Sequence, residues 1–161
     1  MKIGVFDSGL GGLFVLKKII KKLPQYDYVY LGDTKRLPYG NRSQKVIYDF
    51  TREAVEWLFH KDCQLVVLLC NTASSQALRK IQKTYLPKKY PNRRVLGVIV
   101  PTVEEVIKNE GVKRVGVLAT LSTVDSKVYI KEINKINSGI KIFQQAAPLL
   151  VPLIENDGIK W

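Results

Sequence analysis

Leu65 to Leu69 is an unbroken apolar run of five, and Cys70-Asn71-Thr72-Ala73-Ser74 follows it directly. An uninterrupted run of that kind fits a strand buried on both faces, which belongs to a parallel sheet covered by helices. The polar residues after it, leading into Gln76-Ala77-Leu78-Arg79-Lys80-Ile81, read as the start of a helix. Cys70 therefore lies where a strand ends and a helix begins, and in open parallel sheets ligands bind beyond the carboxyl ends of the strands. A helix start offers free N–H groups and the positive end of a dipole, which favour a thiolate and attract anions. The plainer alternative makes Cys70 a small apolar filler, the commoner fate of a lone cysteine. Against it, Asn71, Thr72 and Ser74 supply more polar groups than the end of a core strand requires.

The rest of the chain repeats the same unit. Residues 2–6 predict a short strand running into Asp7-Ser8-Gly9-Leu10-Gly11-Gly12, then a helix to residue 22. The glycines permit a tight turn and a close approach of backbone to ligand. Their spacing is not the dinucleotide fingerprint, and a carboxylate at Asp7 would repel a pyrophosphate. The turn suits a ligand with an ammonium group or a proton to share. Residues 28–31 give a second strand that ends in Gly32-Asp33-Thr34, ahead of a loop punctuated by Pro38, Gly40 and Asn41. Ser43 caps a helix to about residue 59. Composition alone makes Tyr39 a half-buried loop aromatic, and His60 serves the C-terminal end of its helix. Residues 95–100 form the fourth strand, with Pro101 opening a helix that Gly111 ends. Residues 114–119 form the fifth, which breaks into a polar turn, Thr120-Leu121-Ser122-Thr123, before a helix from about 125 to 136; residues 140–143 form a short sixth. The expected fold is α/β, a flavodoxin-like parallel sheet flanked by helices. On such a sheet the ends at Asp7 and Ser8, at Cys70 to Thr72 and at Thr120 to Thr123 can line one cleft.

Composition narrows the function. With 161 residues and 46% hydrophobic content the chain can bury a real core. Two cysteines at no metal-like spacing and a single histidine argue against a zinc site and a disulfide framework, and fit a reducing, cytoplasmic setting. Cys63 and Cys70 flank one strand about 23 Å long at about 3.3 Å per residue, too far apart to bond or to flank one substrate carbon. No segment approaches the roughly 20 apolar residues that cross a membrane. The formal charge of +12 invites a nucleic-acid reading. In the first helix, however, Lys17, Lys18, Lys21 and Lys22 form an ordinary solvated stripe opposite Leu13, Leu16, Ile19, Ile20 and Leu23. Lys88, Lys89, Arg93 and Arg94 with Tyr85 and Tyr90 carry no recognition motif, so nucleic acid is not an expected partner and the charge is read as solubility plus attraction for small anions.

Four stretches stand together in register: Asp7-Ser8-Gly9-Leu10-Gly11-Gly12, Pro38-Tyr39-Gly40, Cys70-Asn71-Thr72-Ala73-Ser74, and Ala119-Thr120 with Thr123. This order resembles that of the glutamate racemases of the aspartate/glutamate racemase superfamily, over the whole length of the chain. The resemblance implies that Cys70 is one of two catalytic thiols, that Asp7 assists it, and that Ser8, Tyr39, Gly40, Asn71 and Thr72 hold the amino acid. Thr120 and Thr123 would be further substrate contacts, and Glu155 is similar to a glutamate that supports the opposite acid–base group. It also implies interconversion of L- and D-glutamate by two-base proton transfer, without cofactor or metal, supplying D-glutamate for peptidoglycan. The chemistry fits: inverting an α-carbon needs a base on one face and an acid on the other. The residues leave a homodimer open.

One departure is plain. The family's second cysteine lies in a Gly-Cys-Thr-His stretch that this chain lacks. The expectation is therefore a truncated copy, with a first α/β domain over residues 1–97, an incomplete second domain over 98–161, and no racemisation by the chain alone. Rival readings are an aspartate or hydantoin racemase of the same superfamily, which would keep Cys70 and change the side-chain pocket, and a non-catalytic small-anion-binding module of flavodoxin-like shape.

Overall fold

The computed structural model describes residues 1–156; the last five residues of the expected second domain lie outside them. Two parallel sheets organise the chain. The first has strand order β2-β1-β3-β4, with β1 at Lys2–Asp7, β2 at Asp27–Gly32, β3 at Leu65–Leu68 and β4 at Arg94–Gly97. That is the flavodoxin order, and its topological switch lies between β1 and β3. Helices α1 (Gly12–Lys22) and α2 (Gln44–His60) follow the first two strands. After β3 come α3 (Asn71–Gln76), α4 (Leu78–Lys80), a π-helical stretch at Ile81–Tyr85 and α5 (Leu86–Lys89). The second sheet pairs β5 (Arg114–Ala119) with β6 (Lys141–Ala146), flanked by α6 (Ile99–Lys108), α7 (Leu121–Ser126) and α8 (Val128–Ile136), and α9 (Leu150–Glu155) follows.

Strand periodicity places the main core. Phe6, Val66, Leu68 and Val95 point to the face covered by α2 and α3, where they meet Ile47, Val55, Leu58, Ala73 and Ala77. Full burial of each such Val, Leu or Phe contributes about 1.5–3 kcal/mol. Gly4 lets this layer close, since a Cβ there would lie 3.1 Å from both Leu58 Cβ and Val66 Cγ2. Ile3, Val5, Val67 and Leu69 point to the other face, where Leu16 and Ile19 of α1 meet them. That face is only partly roofed: Leu65 and Val67 are half-buried, and Leu96 is 50% exposed. Burial of β3 on both faces is thus met on the α2 side alone. An open apolar trough runs from Val15 and Ile19 across Val67 and Leu96 to Val98 and Pro101. The apolar stripe on α1 is likewise thinner than its pattern suggests, with Leu16 buried but Leu13, Ile20 and Leu23 at 40% exposure or more.

Two boundaries differ from expectation. The fourth strand ends at Gly97 and α6 begins at Ile99, so Pro101 sits inside the first helical turn rather than opening the helix. The first four N–H groups of a helix lack partners anyway, so a proline costs nothing there. Burying Ile99 at 3% exposure against Val103, Ile133 and Ile140 rewards the early start. The polar run Leu121-Ser122-Thr123 is helical, and the expected single helix is two, broken at Lys127 in the left-handed region with φ 54°. No helix of the described residues is long and apolar enough to cross a membrane.

Candidate active site

The switch point brings two strand ends side by side. Phe6 pairs with Leu68 in register, and Leu69 N–H donates to Phe6 C=O at 2.8 Å, so Asp7-Ser8 and Cys70 emerge as neighbours. The Ser8 hydroxyl lies 3.0 Å from Cys70 Sγ. Asp7, 6% exposed, accepts from Gly12 N–H through Oδ2 at 2.7 Å. That contact requires glycine, because a Cβ at Gly12 would stand 2.9 Å from Asp7 Cβ. Cys70 is the N-cap of α3, its sulfur accepting from Ala73 N–H at 3.3 Å.

The helix start does not lower the thiol as the sequence suggests. Burial pushes Cys70 above the ordinary thiol range and the Asp7 carboxylate adds to the rise, while the hydrogen bonds from Ser8 and Ala73 pull the other way and lose. The resting group is a neutral thiol whose thiolate, once formed, is a stronger base than a free one.

A cavity of about 340 Å³ opens in front of these groups, lined by Asp7, Ser8, Gly9, Tyr39, Gly40, Asn41, Cys70, Asn71, Thr72 and Thr120, with Val151, Pro152 and Glu155 of α9 on the far side. The expected residues contribute in different ways. Tyr39 is 1% exposed rather than half-buried, and its hydroxyl is committed to Asp33 Oδ2 at 2.5 Å, the oxygen that also receives Arg36 Nε. Burial and the Asp33 carboxylate push that phenol far up. Thr72 Oγ1 meets Thr120 Oγ1 at 2.9 Å, and Thr120 meets Thr123 at 3.0 Å, a line of hydroxyls from the first sheet's side to the second. Thr123, 1% exposed, supports Thr120 from outside the cavity wall. Asn71 receives the Tyr129 hydroxyl from α8 at 2.7 Å. Glu155 Oε1 lies 3.5 Å from Leu10 N, and a Cβ on Gly9 would meet it at 2.2 Å. Cys63 is buried at the opposite end of β3 from Cys70, and both thiols are free.

Sequence reasoning missed Tyr30, Asp33 and Ser122. Tyr30 donates to Gly9 C=O at 3.1 Å and Asp33 anchors Tyr39. Asp33 carried the signal that identified Asp7, a carboxylate straight after a strand. Ser122 gave none, since its partners Gly40 and Arg42 are 82 and 80 residues away. Among the described residues no cluster of His, Cys, Asp and Glu could hold a metal ion.

No family model matches the chain. Among individual proteins it is similar to the glutamate racemase of Geobacter metallireducens, 44% identical over 154 residues, covering 95% of this chain and 54% of the relative. That of Aquifex aeolicus is 41% identical over 160 residues, covering 99% of this chain and 60% of the relative. Solved structures agree. A glutamate racemase isoform from Bacillus anthracis superposes with a TM-score of 0.87 at 36% identity over 96% of this chain and 56% of its own. The Francisella tularensis glutamate racemase, solved in complex with D-glutamate, gives 0.87 at 33% identity over 99% and 58%. The chain is thus similar to glutamate racemases along 95% or more of its own length, and it spans somewhat over half the length of these relatives.

Proposed function

We propose that this chain supplies one face of a cofactor-independent glutamate racemase, with Cys70 as the acid–base group on that face. The observation that carries the reading is the Ser8–Cys70 contact at 3.0 Å beside the Asp7 carboxylate, on the wall of a cavity of about 340 Å³. In the forward step the Cys70 thiolate takes the α-proton of the bound amino acid. The C–H bond breaks, an S–H bond forms, and the electron pair stays on the α-carbon until an acid on the opposite face returns a proton. The high thiol pKa suits this, because a more basic thiolate is better matched to a weakly acidic C–H. Cys70 rests as the neutral thiol; Asp7 accepts its proton once the amino acid is bound, and Ser8 aligns the sulfur. The backbone N–H groups at Asn71 and Thr72, with Ser8 and Thr120, hold the substrate carboxylate, and Gly40 contributes backbone to the wall.

Inversion needs a second acid–base group, and we assign Glu155 to supporting it. Residues 1–97 are read as the first domain, and the residues from 98 onward as part of a second. These residues alone should bind glutamate without racemising it, and the whole enzyme would supply D-glutamate to peptidoglycan synthesis in the cytoplasm, where two free cysteines persist. The test is alkylation of Cys70 by a thiol reagent with and without D- or L-glutamate, against a Cys70→Ser blank that subtracts Cys63. Protection by glutamate and not by aspartate supports the reading. Protection by aspartate alone would move it to an aspartate racemase, and no protection by either would leave Cys70 a core filler.

A further inference from the structure

The loop carrying Tyr39 and Gly40 is held from the other half of the molecule. Ser122, 8% exposed in α7, donates its backbone N–H to Gly40 C=O at 3.0 Å and its hydroxyl to the same oxygen at 2.8 Å, with Arg42 C=O a second acceptor at 3.2 Å. The Ser122 carbonyl accepts in turn from Gln76 Nε2 of α3 at 2.5 Å. Gly40 must be glycine for this approach, since a Cβ would lie 2.7 Å from both Thr120 Cβ and Thr120 Cγ2. One carbonyl oxygen is thus clamped by two donors, and a trans peptide fixes what that does to its partner: the N–H of the same peptide unit points the opposite way. That N–H belongs to Asn41, which lines the cavity and donates to no acceptor among the described residues.

We infer that Ser122 is a positioning residue, which by clamping the Gly40 carbonyl aims the Asn41 N–H into the cavity as a hydrogen-bond donor to a carboxylate of the bound amino acid. The inference rests on the glutamate reading above and extends it to two residues the sequence did not mark. A preorganised backbone donor is well suited to an anion, because it costs no side-chain freedom on binding. Ser122 sits in the second half and Asn41 in the first, so the clamp also makes binding sensitive to how the halves are set together.

The test is an amide-shift titration of the isotopically labelled chain with D- and L-glutamate, on wild type, Ser122→Ala and Ser122→Thr. In wild type the Asn41 amide proton should move downfield together with those of Ser8 and Thr72. Ser122→Ala should shift the Gly40 carbonyl carbon without ligand and weaken glutamate binding by about threefold to tenfold, the worth of one hydrogen bond. Ser122→Thr, which keeps the hydroxyl, should restore both signals; a merely structural role would lower the melting temperature without singling out Asn41. If Ser8 and Thr72 respond while Asn41 is silent, or if Ser122→Ala binds as wild type does, this inference falls and the glutamate site stands. If no amide responds, the site reading falls and takes the inference with it.

Discussion

Replacing Tyr39 by Phe removes one oxygen from a side chain that is 1% exposed and leaves its ring contacts to Phe6 and Phe50 in place. The oxygen lost is the donor to Asp33 Oδ2 at 2.5 Å. A hydrogen bond to a charged acceptor contributes about 1.5–3 kcal/mol. Asp33 retains Arg36 after the substitution and its side chain is 10% exposed, so water can replace part of what is lost. The lower part of that range follows, about 1.5–2 kcal/mol. In a chain of this length each kcal/mol moves the melting temperature by about 2–4 °C, which places Tyr39→Phe about 3–8 °C below wild type. Thermal unfolding by circular dichroism measures the shift, and urea unfolding at unchanged m-value confirms that the native state alone has moved. The same variant should keep glutamate protection of Cys70 within about twofold, because the hydroxyl faces Asp33. An unshifted melting temperature combined with lost protection would refute the reasoning and return the hydroxyl to the ligand.

The thiols give a pH prediction. Cys70 and Cys63 are both raised by burial, so the folded state holds their protons more tightly than the unfolded chain does. Their contribution is full below the ordinary thiol pKa of about 8.5 and is lost as pH rises through the folded values. Urea stability should therefore fall as pH rises above the ordinary thiol pKa of about 8.5, and fall less in Cys70→Ser. Alkylation of Cys70 at pH about 7.5 should be slower than that of a free peptide thiol. The glycines separate in kind. Gly40→Ala forces a Cβ to 2.7 Å from Thr120 Cβ and should cost about 1–3 kcal/mol in chemical unfolding. Gly9→Ala meets the far end of the flexible Glu155 side chain at 2.2 Å and Leu37 Cδ2 at an ordinary 3.6 Å, and should cost less while opening Cys70 to faster alkylation. Equal losses in the two variants would contradict this contrast.

The strand-to-helix signal at Cys70 and the Gly-rich turn after Asp7 were legible because each is a local pattern, and strands β1 to β4 place them side by side once the parallel order is known. Boundaries were less legible where the environment outvotes the local cue. Pro101 looks like a helix opener until Ile99 finds a core to fill, and Thr120 to Thr123 looks like a loop until α7 docks on the Gly40 loop. The thiol was misjudged for a similar reason. The helix start is visible in sequence, but the burial that overrides it depends on α2 and α3 closing over the site. Ser122 shows the limit: a serine in a polar run acquires its role only through partners some eighty residues away.

The pairing of β5 with β6 has a consequence for the behaviour of the chain in bulk. Among the described residues both are edge strands, and parallel sheets are normally covered on both faces. Here one face is packed by α6 and α8, and the other shows Leu118 at 61% and Phe143 at 52% exposure. Unpaired backbone along an edge beside exposed apolar side chains is a template for adding strands from another molecule. Arg114 and Lys141, exposed at the start of each strand, set charge against such pairing at one end only. Refolding yield should therefore depend on protein concentration, improve at low ionic strength where like charges repel over longer distances, and be improved by a charged substitution at Leu118.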